Sequence, residues 1–160
     1  GSYFNPFFTS SQMLSWLRGL ISAFLCARIH NIKDPRYLME STRVEQDVEK
    51  VWQAYSEAWT DITVEERLRL LSENVTEDVV LIAPDGVGHG REELLTKLAE
   101  FQKTFPGASF QTKNFISHHN RSLADWNMVA KDGSVILTGY SVGHYNADGK
   151  LSEITGYWRQ

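Results

Sequence analysis

Two Asp-Gly dipeptides constrain the fold of this chain more than any other feature of its sequence. Asp132-Gly133 and Asp148-Gly149 each lie between two strand-like runs of residues. This dipeptide is typical of a two-residue type I′ loop, which reverses the chain and joins two antiparallel strands. The sequence therefore predicts three consecutive antiparallel strands over the last third of the chain.

The two turns also predict which residues lie opposite one another. If each loop contains two residues, Trp126 lies opposite Gly139, and Gly139 lies opposite Trp158. Because side chains alternate between the two faces of a strand, further rows share the face of Trp126. These rows are Ala124, Ser141 and Gly156, then Ser122, Gly143 and Ile154, and finally Met128 and Leu137. This face is the more apolar one, so we expect it to pack towards helices.

The opposite face of these strands, which we call the outer face, carries both polar and apolar rows. Its polar row is Arg121, His144 and Glu153, and its second row is Asp125, Tyr140 and Tyr157. The apolar residues of the outer face are Leu123, Tyr140, Val142 and Tyr157. This is more apolar surface than a solvated sheet usually exposes, so we expect a second copy of the chain to cover it.

Apolar residues at helical spacing predict two helices before the first strand. In the first, over residues 44–60, the apolar stripe consists of Val44, Val48, Val51, Trp52, Tyr55 and Trp59. In the second, Thr63 and Glu66 form a capping box, which predicts a helix from there to about Leu71. A strand over residues 76–84 and a third helix over residues 91–105 follow.

Residues 1–42 are predicted to form an extension before the main domain of residues 43–160. Apolar residues between Leu14 and Ile29 have helical spacing, but Arg18 interrupts them, so the segment is too short and too charged for a membrane span. We expect an extra amphipathic helix that packs on its own domain or on a partner. A signal peptide from Met13 and a natural start at Met39 are alternatives that the sequence leaves open. We expect a cytoplasmic protein, with secretion through this segment as the other possibility.

Composition excludes several classes of protein. Hydrophobic residues make up 42% of the chain and charged residues 22%, which is typical of a globular domain. The net charge of -4 argues against a nucleic-acid partner, since such domains usually carry a basic face. The sequence contains neither a zinc-binding histidine motif nor a glycine-rich phosphate loop, so we expect no metal and no cofactor.

Five short motifs follow one another in a characteristic order. They are Ala83-Pro84, Gly90-Arg91-Glu92, Phe105-Pro106-Gly107, His118-His119 and Gly156-Tyr157. Together with the order of helices and strands, they resemble the SnoaL-like branch of the nuclear transport factor 2 (NTF2-like) superfamily, over about residues 44–160. The resemblance implies an α+β cone, in which a strongly curved, mostly antiparallel sheet wraps around helices and encloses an apolar pocket. It also implies a homodimer.

The resemblance implies a small-molecule pocket protein. Members of the family include polyketide cyclases, steroid isomerases and epoxide hydrolases. One hypothesis is therefore a cofactor-independent enzyme acting on an apolar carbonyl or polycyclic compound, and the alternatives are a non-catalytic ligand-binding domain or an oligomerisation domain. Two departures argue against a shared mechanism. Steroid isomerase-like relatives carry an acidic base where this chain has Ala83, and many relatives carry an acid where it has Ser141.

The candidate site is the apolar pocket with a histidine beside it. We expect the pocket to be lined by Trp52, Tyr55, Trp59, His118, Trp126, Ser141 and Trp158. His118 is the candidate catalytic residue, because histidine transfers protons near neutral pH. It neighbours His119 on a predicted strand, so one of the two points inward, and we predict His118; a structural histidine is the alternative. Asp85 is predicted either at the pocket mouth or as a turn residue.

Overall fold

The computed structural model of the chain describes residues 47–159, and these contain the three predicted helices of the main domain. Helix α1 covers residues 47–57, α2 covers Val64–Asn74, and α3 covers Gly90–Thr104. In this part of the chain, no helix is long and apolar enough to cross a membrane. The predictions for residues 1–42, including the extra amphipathic helix and a start at Met39, fall outside the described residues.

Six strands form one sheet in the order β2-β1-β6-β5-β4-β3. Their bounds are β1 Val75–Ala83, β2 Gly86–His89, β3 Ser109–His118, β4 Arg121–Val129, β5 Val135–Tyr145 and β6 Leu151–Tyr157. Neighbouring strands are antiparallel, except that β1 and β6 run parallel. The predicted α+β class, with a curved and mostly antiparallel sheet, is confirmed. Strand β2, which the sequence analysis did not anticipate, pairs only with β1 at the edge of the sheet.

Helix α2 begins at the predicted cap but continues further than expected. The Thr63 hydroxyl oxygen accepts the backbone N–H of Glu66 at 3.2 Å, which satisfies one free donor of the first turn. The Glu66 carboxylate binds Arg69, one turn along the helix, at 2.6 Å. The helix ends at Asn74, three residues beyond the predicted end, and the Asn74 amide donates to the Leu70 carbonyl at 2.9 Å.

The two Asp-Gly turns are three-residue loops, so the predicted two-residue loops are wrong. In the first, the N–H of Gly133 donates to the carbonyl of Ala130 at 2.9 Å, and the N–H of Ala130 donates to the carbonyl of Ser134 at 2.8 Å. In the second, Gly149 donates to Asn146 at 3.0 Å. Both glycines have positive φ, +88° and +78°, as in a type I turn followed by a bulge.

The predicted register is nevertheless confirmed, because a bulge in each following strand compensates for the extra loop residue. Val129 pairs with Val135 but Met128 pairs with Leu137, so Ile136 is the extra residue of the first bulge. In β6, Ser152 is the extra residue of the second bulge, because Tyr145 pairs with Leu151 and His144 pairs with Glu153. Past these bulges the observed pairs are the predicted ones, among them Trp126 with Gly139, Ala124 with Ser141, Ser141 with Gly156 and His144 with Glu153. Trp158 lies one residue beyond β6, so the predicted third member of the Trp126 row is unpaired.

The two-residue loops of this sheet are those between β3 and β4 and between β1 and β2, and the second contains the aspartate of a further Asp-Gly dipeptide, Asp85-Gly86. Strands β3 and β4 pair at His118 and Arg121, so the loop between them is His119-Asn120. Both loop residues have positive φ, 49° and 58°, as a type I′ turn requires. Strands β1 and β2 are also joined by a two-residue loop, Pro84-Asp85, since Ala83 pairs with Gly86. This loop is not of type I′, because neither of its residues has positive φ.

The core lies between the inner face of the sheet and the three helices. Helix α1 contributes Val48, Trp52 and Tyr55, all buried, and the predicted apolar stripe is therefore confirmed for its described members. The inner face of the sheet contributes Leu81, Ala124, Trp126, Met128 and Ile154. Two glycines of the sheet leave room for indole rings to pack directly on the backbone. A Cβ at Gly139 would overlap the Trp126 ring, and one at Gly156 would lie 2.7 Å from the Trp158 ring.

Candidate functional site

A cavity of ≈ 430 Å³ lies between the helices and the inner face of the sheet. Six of the seven predicted pocket residues line it: Trp52, Tyr55, Trp59, Trp126, Ser141 and Trp158. Most of the other lining residues were not predicted from the sequence, including Leu81, Phe101, Phe105, Phe110, Thr112, Ile136 and Leu137. The cavity has the volume of a site for a small organic molecule.

Aromatic rings in edge-to-face contact form one wall of the cavity. The ring centroid of Phe110 lies 5.2 Å from that of Trp59 and 5.1 Å from that of Trp126, with interplanar angles of 77° and 90°. Phe101 of α3 lies 5.3 Å from Trp59. Such contacts favour fixed ring positions, so the cavity is bounded by groups that hold one another in place. Phe110 and Phe101 belong to elements whose inward faces the sequence pattern did not single out.

Two indole N–H groups that face the cavity already have partners. The Trp126 indole donates to the buried Ser141 hydroxyl at 3.0 Å, and the Trp52 indole donates to the Thr112 hydroxyl at 3.1 Å. Both hydroxyls act as acceptors in these bonds and retain a proton of their own. The arrangement leaves neutral O–H donors beside an apolar space, and these can hold the oxygen of a ligand.

Tyr55 is the one ionisable group that lines the interior of the cavity in the described residues. Burial raises the pKa of its phenol above the ordinary value, and a nearby Tyr145 adds to this, while the Trp59 side chain acts in the opposite direction. The phenol therefore remains protonated around neutral pH. It can donate or accept a hydrogen bond there, but it is not available as a base.

His118 lies outside the cavity, so its predicted inward position is wrong. It is the exposed last residue of β3, next to the His119-Asn120 loop, at the tip of the β3–β4 hairpin. The alternation rule that placed one histidine inward requires both to lie within a strand. His119 instead has positive φ and belongs to the turn. Neither His118 nor His119 lines the cavity.

Charged side chains lie at the mouth of the cavity. Asp85 occupies the β1–β2 loop, and both of its carboxylate oxygens lie 3.0 Å from the Lys97 Nζ of helix α3. Asp85 is thus a turn residue and also lines the cavity, which joins the two alternatives of the sequence analysis. Arg159, two residues beyond β6, is the third charged residue of the lining.

The remaining histidines of the described residues lie away from the cavity. His144 contacts Arg121 and lies 3.5 Å from the Glu153 carboxylate, and the three form the predicted row of the outer face. The backbone N–H of His89 donates to the Glu93 carboxylate at the start of α3. Within residues 47–159, no group of three histidine, cysteine, aspartate or glutamate side chains is arranged to hold a metal ion.

Comparison with known proteins decides the family. The family model described as SnoaL-like domain matches residues 52–154, which is more than half of the chain. The chain belongs to the SnoaL-like family. The match begins at Trp52 within α1 and ends at Ile154 on the inner face of β6. No curated protein matches this SnoaL-like chain in sequence.

Solved structures support the same fold for the SnoaL-like chain. A "putative isomerase of the SnoaL-like family" from Agrobacterium tumefaciens str. C58 is 22% identical, with a TM-score of 0.66 over 72% of this chain and 99% of that one. A "putative SnoaL-like polyketide cyclase" from Jannaschia sp. CCS1 is 14% identical, with a TM-score of 0.60 over 72% and 87%. An NTF2-like protein of unknown function from Cytophaga hutchinsonii ATCC 33406 is 11% identical, with a TM-score of 0.55 over 70% and 89%. At these identities the likeness establishes the fold alone.

Proposed function

We propose that this SnoaL-like domain binds a small, largely apolar molecule with a carbonyl or hydroxyl oxygen in the cavity of ≈ 430 Å³. The observation that carries the proposal is the cavity itself. It is bounded by aromatic rings whose centroids lie 5.1–5.3 Å apart. Protein interiors are otherwise close-packed, so a cavity of this size is a cost that a bound ligand can offset.

The polar groups of the lining favour a neutral oxygen as the ligand's recognised atom. The Ser141 hydroxyl accepts a hydrogen bond from the Trp126 indole and keeps its own proton, and burial keeps the Tyr55 phenol protonated. A ketone or hydroxyl oxygen can accept from such donors without bringing a charge into the apolar interior. We therefore propose a polycyclic or carbonyl-bearing compound, held by ring contacts and oriented by one or two hydrogen bonds.

Binding is favoured over proton transfer because the catalytic candidate of the sequence analysis lies elsewhere. With His118 at the hairpin tip, Asp85 is the remaining described carboxylate in the lining, and it is paired with Lys97 at the mouth. Names of two similar structures mention isomerase and polyketide cyclase, which keeps an enzyme of that kind as the second candidate. Conversion of a bound ketone by the wild type, but not by Asp85→Asn, would favour the enzyme.

Filling the cavity should abolish ligand binding while leaving the fold intact. Ala83 lines the cavity from β1, and Ala83→Phe adds a ring to the space that the ligand would occupy. We expect affinity for a neutral tricyclic ketone such as anthrone to fall at least about tenfold, since a tenfold change needs only about 1.4 kcal/mol of lost contact. Quenching of tryptophan fluorescence measures this, because four of the five tryptophans line the cavity.

The matched control is Ile82→Phe, one residue earlier on β1. Ile82 is half-buried, alternates to the other face of the sheet and pairs with Val87 and Thr155. It should bind anthrone as the wild type does, and circular dichroism should show both variants folded. The same saturable quenching in Ala83→Phe as in the wild type would contradict the proposed site. The absence of saturable quenching by any neutral polycyclic ketone in the wild type would contradict the proposed function.

We further propose that a second copy of the chain covers the outer face. Its apolar side chains remain exposed in the single chain, with Ile116 at 63%, Leu123 at 40%, Tyr140 at 53% and Tyr157 at 56%. Three of the four were predicted from the sequence, and Ile116 joins them because it pairs with Leu123. Neighbouring rows on one face make these residues a continuous patch, which a soluble single chain rarely leaves open.

A charge on the outer face should shift the chain from dimer to monomer. Tyr140→Lys places an ammonium group in the middle of the patch, where association would have to remove it from water. Sedimentation velocity should show a dimer for the wild type and a monomer for this variant. Leu68→Lys on α2 is the control, since Leu68 is similarly exposed but lies off the sheet. A wild type that stays monomeric at high concentration would contradict the dimer.

A further inference from the structure

Two cations and one anion line the mouth of an otherwise apolar cavity. They are Lys97, Arg159 and Asp85, and with Tyr55 they are the ionisable residues of the lining in residues 47–159. The excess of positive charge is local, because the whole chain carries a net charge of -4. A cationic mouth on an acidic protein attracts a particular class of ligand, namely one with a negative group.

The register of the sheet places the three charged residues at the same end of the cavity. Strands β1 and β6 are parallel neighbours, with Ile82 opposite Thr155, so both run towards this end. Asp85 follows β1 by two residues, and Arg159 follows β6 by two residues. Lys97 reaches the same point from α3, where its Nζ lies 3.0 Å from the Asp85 carboxylate.

Lys97 is placed to exchange one carboxylate for another. Its side chain is 34% exposed and lines the cavity, whereas its partner Asp85 is 51% exposed in the loop. An ion pair so open to water contributes little to stability, and its partners separate at low cost. A ligand carboxylate at the mouth would meet the ammonium group of Lys97 from the cavity side and could replace Asp85 there.

We propose that the ligand of this cavity is an amphipathic carboxylic acid, whose apolar body lies among the aromatic rings and whose carboxylate binds Lys97 and Arg159 at the mouth. The Asp85 carboxylate occupies this position on Lys97 in the structure. The inference rests on the proposed function, since it names the class of molecule that the same cavity takes. It adds a polar end to a ligand whose apolar body and neutral oxygen the interior recognises.

A pair of ligands that differ only in charge tests the inference. Anthracene carboxylate and anthracene carboxamide have the same tricyclic body and nearly the same size. We expect the wild type to bind the acid about tenfold more tightly than the amide, as one charge-assisted hydrogen bond would supply. The preference should shrink as salt is added, because the charges at the mouth are open to screening. Isothermal titration calorimetry at two ionic strengths measures both effects.

Variants at the mouth assign the preference to particular residues. Lys97→Met keeps the apolar stem and removes the charge, so affinity for the acid should fall about tenfold while that for the amide changes less than about twofold. Lys103→Met is the control, because Lys103 lies on the same helix and pairs with Glu100 away from the cavity. Asp85→Asn removes the competing carboxylate and should tighten binding of the acid about threefold or more.

The outcomes separate the inference from the proposed function. Equal affinity for acid and amide, unchanged in Lys97→Met, would overturn the inference and leave the apolar site standing. Tighter binding of the amide would overturn it as well. Failure of both ligands to bind the folded wild type would overturn the inference together with the site on which it rests. A preference for the acid that Lys97→Met abolishes and Lys103→Met retains would support it.

Discussion

Replacing Trp126 with alanine is expected to lower the free energy of unfolding by about 3–5 kcal/mol, the usual cost of deleting a large buried aromatic side chain. Trp126 is 5% exposed and lies on Gly139 of the neighbouring strand, whose lack of a side chain leaves room for the ring. Its ring lies 5.1 Å from Phe110 and 6.0 Å from Trp158. Removing the ring would leave a gap that adjoins the cavity of ≈ 430 Å³.

Urea denaturation monitored by circular dichroism measures this loss. Trp126→Phe separates the contributions, since it retains most of the ring contacts but leaves the Ser141 hydroxyl without the indole donor at 3.0 Å. Trp158→Ala is the matched control: Trp158 lines the same cavity but is only half-buried and lies outside β6, so it should cost less. A loss below about 1.5 kcal/mol for Trp126→Ala would contradict the central position of this ring in the core.

Arg67→Ala should destabilise the protein by about 2–4 kcal/mol, because it leaves two carbonyl groups without their charged donor. Arg67 is 7% exposed, and its guanidinium donates to the carbonyls of Ala58 and Thr60 at 2.8 Å each. These carbonyls follow the end of α1, where a positive charge also interacts favourably with the helix dipole. Arg67 therefore fixes the chain just after the helix that carries Tyr55 and beside Trp59.

Arg69→Ala provides the comparison on the same helix. Arg69 is exposed and pairs with Glu66 and Glu73 at 2.6 and 2.8 Å, yet such surface pairs contribute little, so its loss should hardly change the unfolding midpoint. Arg67→Lys should fall between wild type and Arg67→Ala, since an ammonium group cannot reproduce the planar two-donor contact. Equal midpoints for Arg67→Ala and Arg69→Ala would show that the buried contacts contribute nothing.

Alternation of side chains and helical spacing were enough to predict the inner face of the sheet and its helical cover. Trp52 and Tyr55 lie on one stripe of α1, Trp59 follows two residues after the helix ends, and Trp126 and Ser141 alternate onto one face of their strands. These patterns survive folding because burying one face of each element is the main source of stability. Six of the seven predicted pocket residues line the cavity for this reason.

The Asp-Gly turns show that a local sequence signal can predict the correct strand register from an incorrect loop length. Gly133 and Gly149 do adopt the positive φ that their sequence context predicts, but each ends a three-residue loop. The register is recovered only because Ile136 and Ser152 are extra residues in bulges further along. A bulge is stabilised by contacts between strands, so a turn dipeptide carries no information about it.

The amino-acid sequence by itself determined the α+β class, the pairing of the last three strands and the inward position of Trp52 and Tyr55 on α1, because periodicity and alternation are local properties of the chain. Tertiary structure alone decided which end of the sheet is the mouth. It places Asp85, Lys97 and Arg159, which come from three separate parts of the chain, at this mouth. It also places His118 at a hairpin tip outside the cavity. Which charges meet depends on strand order and on the parallel pairing of β1 with β6, and these are long-range contacts that no local pattern encodes.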